Sequence, residues 1–145
     1  MSLLELKGPV MLDIPSDPAA LFMVRALVSK LAERLEFSAE ESQALVLAVD
    51  EACTNVIRHA YKNCIDQRII LSFIVNLERF EVQIRDFGLS ADPSTFQSRK
   101  LDDVRPGGLG IHFIRSAVDS VEYKIQAEGG TLLKMIKFRP KRENG

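Results

Sequence analysis

The sequence predicts an α+β fold, a two-layer sandwich in which helices cover one face of a mixed, mainly antiparallel sheet. Three observations carry this. Segments of strand and helix character follow one another as β-α-α-β-β-loop-α-β-β, with helices grouped between strands instead of alternating with them one for one. The 145 residues are one domain's length, enough to bury a core without disulfides or a structural metal. Hydrophobic residues make up 46% and charged residues 27%, a soluble globular balance that argues against disorder and fibrous repeats.

Each element has a local reason. Residues 10–15, VMLDIP, read as a short edge strand. Ser16 or Asp17 can cap a helix with Pro18 in its first turn, where a missing N–H costs little. Leu21, Val24, Val28, Leu31 and Leu35 then recur at helical spacing. Ser38 with Glu41 three residues on has the form of a capping box, and the helix it opens is predicted to run to about Tyr61. Residues 67–76 and 79–86 are β-rich and joined by a tight turn. Residues 87–107 form a long polar stretch with two prolines, read as a lid. Gly107 to Gly110 leads into a helix predicted to end near Asp119, and strands over 120–126 and 131–138 flank Glu128-Gly129-Gly130. The tail over 139–145 is predicted to fray.

Charge narrows the function classes. Nineteen Lys and Arg against twenty Asp and Glu leave a formal charge of -1. No basic excess supplies the phosphate-driven term of nucleic-acid binding or draws the chain to an anionic membrane, so direct nucleic acid and membrane are not expected as partners. Cys53 and Cys64 lack both a disulfide framework and the paired spacing of a zinc site. The N-terminal residues do not have the form of a secretory signal, and no apolar run is long enough to span a bilayer; a cytoplasmic location is the expectation.

Several motifs tempt and fail. Asp86-Phe87-Gly88 spells the magnesium-binding triplet of eukaryotic-type protein kinases, but the glycine-rich loop, strand lysine and catalytic loop that reading needs are missing. Gly108 and Gly110 could begin a dinucleotide fingerprint, yet Phe113 takes the third glycine position. There is no P-loop. His112 is read as an ordinary surface or packed histidine.

Three features remain. On the second helix Leu45, Val49, Ala52, Val56 and Ala60 share one side, while Glu51, Asn55 and His59 sit at i, i+4 and i+8 with Arg58 close by. This is either a solvated face or a line of carboxylate, amide oxygen and basic group. In the second case the amide oxygen suits Mg²⁺, and the carboxylate can take a proton from an attacking hydroxyl. Asp86-Phe87-Gly88 ends a strand. It is either an ordinary turn, or a carboxylate able to accept from an exocyclic amine beside a glycine that lets a flat ring approach. Arg105-Pro106-Gly107-Gly108-Leu109-Gly110 opens a helix, as a plain hinge or as unhindered backbone N–H groups for an anion.

In that order the features resemble the GHKL ATPase superfamily, and most of all its bacterial anti-sigma factor serine kinases. Glu51-Ala-Cys-Thr-Asn55-Val-Ile-Arg58-His59-Ala-Tyr61 is similar to the family's N box, Asp86-Phe-Gly88 with Asp92-Pro93 to its G1 box, and Arg105 through Tyr123 to its G2 segment and following helix. Gly130-Thr131 resembles the glycine-threonine before the last strand. Ser90 stands where many members have a second glycine, and Ala91 where close relatives carry an aromatic.

The resemblance implies a Bergerat-type ATP-binding fold and a concrete set of roles. Asn55 would ligate Mg²⁺. Glu51 would be the catalytic base or its organiser. Asp86 would read the adenine amine with help from Thr131, and Gly88 would pack on the ring. Gly107, Gly108 and Gly110 would wrap the phosphates. Arg58 and His59 are further candidates for the nucleotide, and Arg105, at the lid edge, is a candidate for the γ-phosphate on charge and position alone. The family reaction passes the γ-phosphoryl of ATP to a serine of an anti-anti-sigma antagonist, while the same chain, as a homodimer, sequesters a sigma factor. Two alternatives share the fold: a non-catalytic ATP-binding regulatory module, and a stand-alone histidine-kinase-like ATPase domain. The length leaves no room for the extra segments that sensor kinases and DNA-repair ATPases carry, so a self-standing switch is the expectation.

Overall fold

The computed structural model describes residues 4–88 and 108–140, the side chains of 108–112 excepted. Two helices, α1 (Leu21–Arg34) and α2 (Ala39–Asn55), separate strand β1 (Val10–Pro15) from β2 (Arg68–Val75) and β3 (Arg79–Asp86); helix α3 (Gly108–Ala117) precedes β4 (Ser120–Ile125) and β5 (Thr131–Phe138). The strands form one sheet in the order β1-β2-β3-β5-β4. Every pairing among the described residues is antiparallel, so the sheet is not mixed as the sequence suggested. Each neighbour pair is reached by a hairpin or by a crossover over the helical layer, neither of which imposes a parallel partner.

Alternation decides the faces. On β2 Ile69, Leu71, Phe73 and Val75 are buried while the residues between them are less so, and on β3 Phe80, Val82, Ile84 and Asp86 point the same way. They meet Val24, Val28, Leu45, Val49, Ala52 and Ile57 from the helices in one contiguous core. Helices α1 and α2 pack on each other, and α3 packs on α2.

The ends of elements show what the sequence resolved and what it did not. Asp17, not Ser16, caps the first turn: its carboxylate accepts from Ala19 N–H at 2.9 Å, and Pro18–Ala20 is a 3-10 turn ahead of α1. Ser16 is buried and its hydroxyl donates instead to the Cys64 carbonyl at 2.6 Å, so it was taken by a tertiary partner. The capping box at Ser38 and Glu41 forms in both directions. Helix α2 stops at Asn55, and Val56–Ala60 continues as a π turn. Helix α3 ends at Ala117, short of Asp119.

The segment predicted to fray is tied at its start. Arg139 donates from its backbone N–H to Glu78, and from its guanidinium to the carbonyls of Asn76 at 2.7 Å and Leu4 at 2.5 Å. The chain around residues 4 and 139 is thereby fastened to the β2–β3 turn.

Candidate functional site

The site is built where β3 runs out under the end of α2. Asp86 is the last residue of β3 and only 3% exposed. Its carboxylate is held on two sides. Oδ2 accepts from the Thr131 hydroxyl at 2.5 Å, and Oδ1 accepts from the Gly88 N–H at 3.0 Å. Each carboxylate oxygen can accept more than once, so this buried group keeps acceptor capacity after its intramolecular partners are counted. The structure therefore brings Asp86, Gly88 and Thr131 together, from two separate stretches of sequence.

Gly88 lies against Ala60. A methyl carbon there would stand 2.9 Å from the Ala60 carbonyl oxygen and 3.0 Å from its Cβ, so the lack of a side chain is what lets the strand end pass under the helix. Gly130 answers a second constraint. Its φ is +80°, and a Cβ would fall 2.0 Å from the Asp86 carbonyl oxygen. That close approach brings Thr131 onto the carboxylate.

Glu51 and Asn55 occupy the last turns of α2, both half-buried. Asn55 Oδ1 is buried and accepts no hydrogen bond among the described residues. An amide oxygen in that condition costs stability unless something else uses it, and a hard cation suits it. No group of three or more His, Cys, Asp or Glu side chains able to hold a metal occurs among the described residues. A cation here would take Asn55 as its protein ligand and find its other oxygens elsewhere.

The π turn revises the line drawn from Glu51 through Asn55 to Arg58 and His59. Tyr61 N–H reaches back to the Val56 carbonyl at 3.0 Å and Asn63 N–H to Ile57 at 2.8 Å, before Lys62 and Asn63 take positive φ. The wider turn rotates Arg58 and His59 off the 3.6-residue line, and both are exposed. Ala60 is brought onto Gly88 instead. Gly108 and Gly110 lie in the first turn of α3, the helix that packs on α2. Arg105 and Gly107 lie outside the described residues, as does nearly all of the lid over 87–107.

Two neighbours were not singled out in the sequence. Arg85, on the outer face of β3, donates to the carbonyls of Asp86 and Thr131, pairs with Glu128 at 3.8 Å and lies 4.3 Å from the centroid of the Phe87 ring. Tyr61 is 5% exposed. Its hydroxyl donates to the Arg68 carbonyl and accepts from the Phe87 N–H, both at 2.6 Å. Burial, and after it the Asp86 charge, raises its pKa, against the Phe87 contact and the Arg85 charge. The signal was available for Tyr61: a tyrosine at the buried end of a helix needs a partner for its hydroxyl. Arg85 gave none, because its contacts are to backbone carbonyls brought near only by the fold.

Residues 14–137 match the model of a histidine kinase-like ATPase domain. The chain is 33% identical over 137 residues to the serine-protein kinase RsbW of Bacillus pumilus, covering 88% of this chain and 83% of that one. Among solved structures it is similar to the SiaB–SiaC complex from Pseudomonas aeruginosa, with a TM-score of 0.71, 10% identity and 88% of each chain covered. It is also similar to the RsbU and RsbW domains of a Mycobacterium tuberculosis protein, with a TM-score of 0.61 and 17% identity over 94% of this chain, which spans 34% of that longer one. At those identities the structures speak to the fold alone, and the fold they share is the α+β arrangement described above.

Proposed function

The chain belongs to the histidine kinase-like ATPase domain family, among relatives that are serine-protein kinases, and from that premise we propose that it transfers the γ-phosphoryl group of ATP to a serine of a small antagonist protein. The observation that carries this reading is the buried Asp86 carboxylate at the end of β3, fixed by Thr131 and Gly88 with acceptor capacity to spare, together with the Asn55 amide oxygen, which has no partner among the described residues.

Asp86 accepts from the exocyclic amine of adenine, and the ring lies over Gly88. Asn55 Oδ1 holds Mg²⁺, which supplies charge neutralisation for the phosphates. Backbone N–H groups at the start of α3, at Gly108 and Gly110, serve the same phosphates. Arg58 and His59, both exposed, are further positive or hydrogen-bonding candidates for the nucleotide, and the sequence reading adds Gly107 and Arg105, which lie outside the described residues. Glu51 accepts the proton of the serine hydroxyl as its oxygen bonds to phosphorus and the bond to the ADP oxygen breaks. Positioning and charge neutralisation carry most of phosphoryl transfer, so this short set of residues suffices.

The kinase works in a partner switch. Unmodified antagonist binds and frees a sigma factor held by the same chain; phosphorylation adds about two negative charges and releases the antagonist. The SiaB–SiaC likeness is compatible with a protein antagonist, through the fold. A homodimer is supported by the edge position of β1, where Val10 and Met11 are exposed, and by exposed Phe22 and Met23 on α1. The near-neutral charge, and the lack among the described residues of a helix able to cross a membrane, suit a protein acting on proteins in the cytoplasm.

The test is incubation with Mg-ATP and a purified antagonist of the anti-anti-sigma type from the same genome, read by intact mass. A gain of one acid-stable phosphate on a serine, abolished by Glu51→Ala, is the expected result. An unmodified antagonist, or a Glu51→Ala protein as active as the parent, refutes the kinase. An acid-labile product would place the phosphate on histidine.

A further inference from the structure

We infer that Tyr61 is a positioning residue for the adenine-reading turn, its hydroxyl standing as an inserted rung between β2 and β3 and setting where Asp86, Phe87 and Gly88 lie. The inference rests on the adenine reading of Asp86 above. The register pairs Ile69 with Asp86, so one step further places Arg68 opposite Phe87. There β3 has ended. The Phe87 N–H meets the Tyr61 oxygen at 2.6 Å, and the same hydroxyl donates to the Arg68 carbonyl at 2.6 Å. One side chain thus takes up a donor and an acceptor at the mouth of the strand pair, and holds the strands a hydroxyl's width apart where the turn begins.

The residue before it completes the grip. Ala60 meets Gly88 so closely that no β-carbon fits there, while Gly88 in turn donates to Asp86 Oδ1. Residues 60 and 61 therefore hold the two residues that follow Asp86, and Thr131 holds the carboxylate from the other side. The π turn over Val56–Ala60 is what delivers both to this place. Burial keeps the Tyr61 hydroxyl protonated, so it remains a donor to Arg68 across the physiological range.

The prediction concerns the base, not the phosphates. Tyr61→Phe keeps the ring's packing but leaves the Phe87 N–H and the Arg68 carbonyl to find other partners, and the turn shifts relative to the adenine amine. Equilibrium binding is measured with ATP and with purine riboside 5′-triphosphate, which lacks the exocyclic amine. The parent protein is expected to prefer ATP by about tenfold, the equivalent of one good hydrogen bond. In Tyr61→Phe that preference falls to within about twofold, through weaker ATP binding. Equal weakening toward both nucleotides, or an unchanged preference, overturns the inference. A parent protein that shows no preference overturns the adenine reading itself, and this inference with it.

A second measurement does not depend on the variant folding. The chain has two tyrosines, so 3-fluorotyrosine labelling gives two ¹⁹F resonances, assigned with Tyr123→Phe. The Tyr61 resonance is expected to shift more on adding ATP than on adding purine riboside triphosphate. Equal shifts, or none, overturn the inference.

Discussion

Replacing Gly130 with alanine puts a methyl carbon 2.0 Å from the carbonyl oxygen of Asp86 and 2.7 Å from its carbonyl carbon. Both atoms are backbone, so no rotamer change relieves the overlap, and the hairpin between β4 and β5 must retreat from the end of β3. Gly130 also has φ +80°, where an L residue carries a strain of about 1–2 kcal/mol. Overpacking adds about 1–3 kcal/mol. A retreat of even 1 Å, on the order of the overlap to be removed, would stretch the 2.5 Å contact between Thr131 and Asp86 to the limit of a hydrogen bond. The combined destabilisation is about 2–5 kcal/mol, reaching the larger single-residue effects at its upper end. Melting should fall by roughly 6–20 °C for a chain of this size, and the urea midpoint should fall with an unchanged m-value. Gly8 is the control: nothing lies within 4 Å of a Cβ built there, and Gly8→Ala should stay within about 0.5 kcal/mol of the parent. If Gly130→Ala unfolds with the control, the close approach of the two backbones is wrong, and so is its part in holding Thr131 on Asp86.

Two further outcomes follow from the same chemistry. The Glu41 carboxylate accepts from the Ser38 N–H at 3.0 Å, and this contact, ahead of the Ser38 hydroxyl and Lys137, lowers its pKa below 4.5. A carboxylate with a depressed folded pKa contributes stability that is full above the unfolded value and is lost as pH falls through the folded one. Glu41→Gln should therefore lower the melting temperature near neutral pH and converge with the parent once the pH has fallen through the depressed folded pKa of Glu41, while Ser38→Ala should cost about 1 kcal/mol at pH 7; parallel melting curves of parent and Glu41→Gln across the acid range would contradict this. Burial, then the Asp50 charge, pushes the Cys53 thiol up to about 12, whereas Cys64 is exposed. Iodoacetamide at pH 8 should add a single carbamidomethyl group, at Cys64, to the native protein and two to the denatured one; rapid native labelling of Cys53 would place it outside the core.

The sequence reading succeeded where chemistry is local. The capping box at Ser38 and Glu41, the β-rich stretches that form β2 and β3, and the turn glycines before Thr131 each announce themselves within a few residues, and all stand where they were expected. It failed where a distant partner decides. Ser16 had the chemistry of a helix cap but spends its hydroxyl on Cys64 and Gln67, far along the chain. The helical line through Glu51, Asn55 and His59 broke at Asn55 because the chain must deliver Ala60 to Gly88 and Tyr61 to Phe87. Periodicity registers which residues face the core, and it has no means to register one extra residue in a turn. Asp86 stood out as a strand-end carboxylate, but Thr131 could be joined to it from the sequence only through resemblance, since 45 residues separate them and only the β3–β5 pairing makes them neighbours.

The knot at Arg139 has a consequence for gene architecture. It gathers the chain near residues 4 and 139 at the β2–β3 turn, whereas Asp86 lies at the other end of the eight-residue strand β3, about 24 Å away. Polypeptide added before or after this domain would leave from one corner, remote from Asp86 and from the nucleotide site proposed around it. Such a domain can be spliced into longer proteins, or relocated within them, without obstructing its own chemistry. An insertion that separated the two gathered ends would be tolerated far less, because it would pull on the sheet itself.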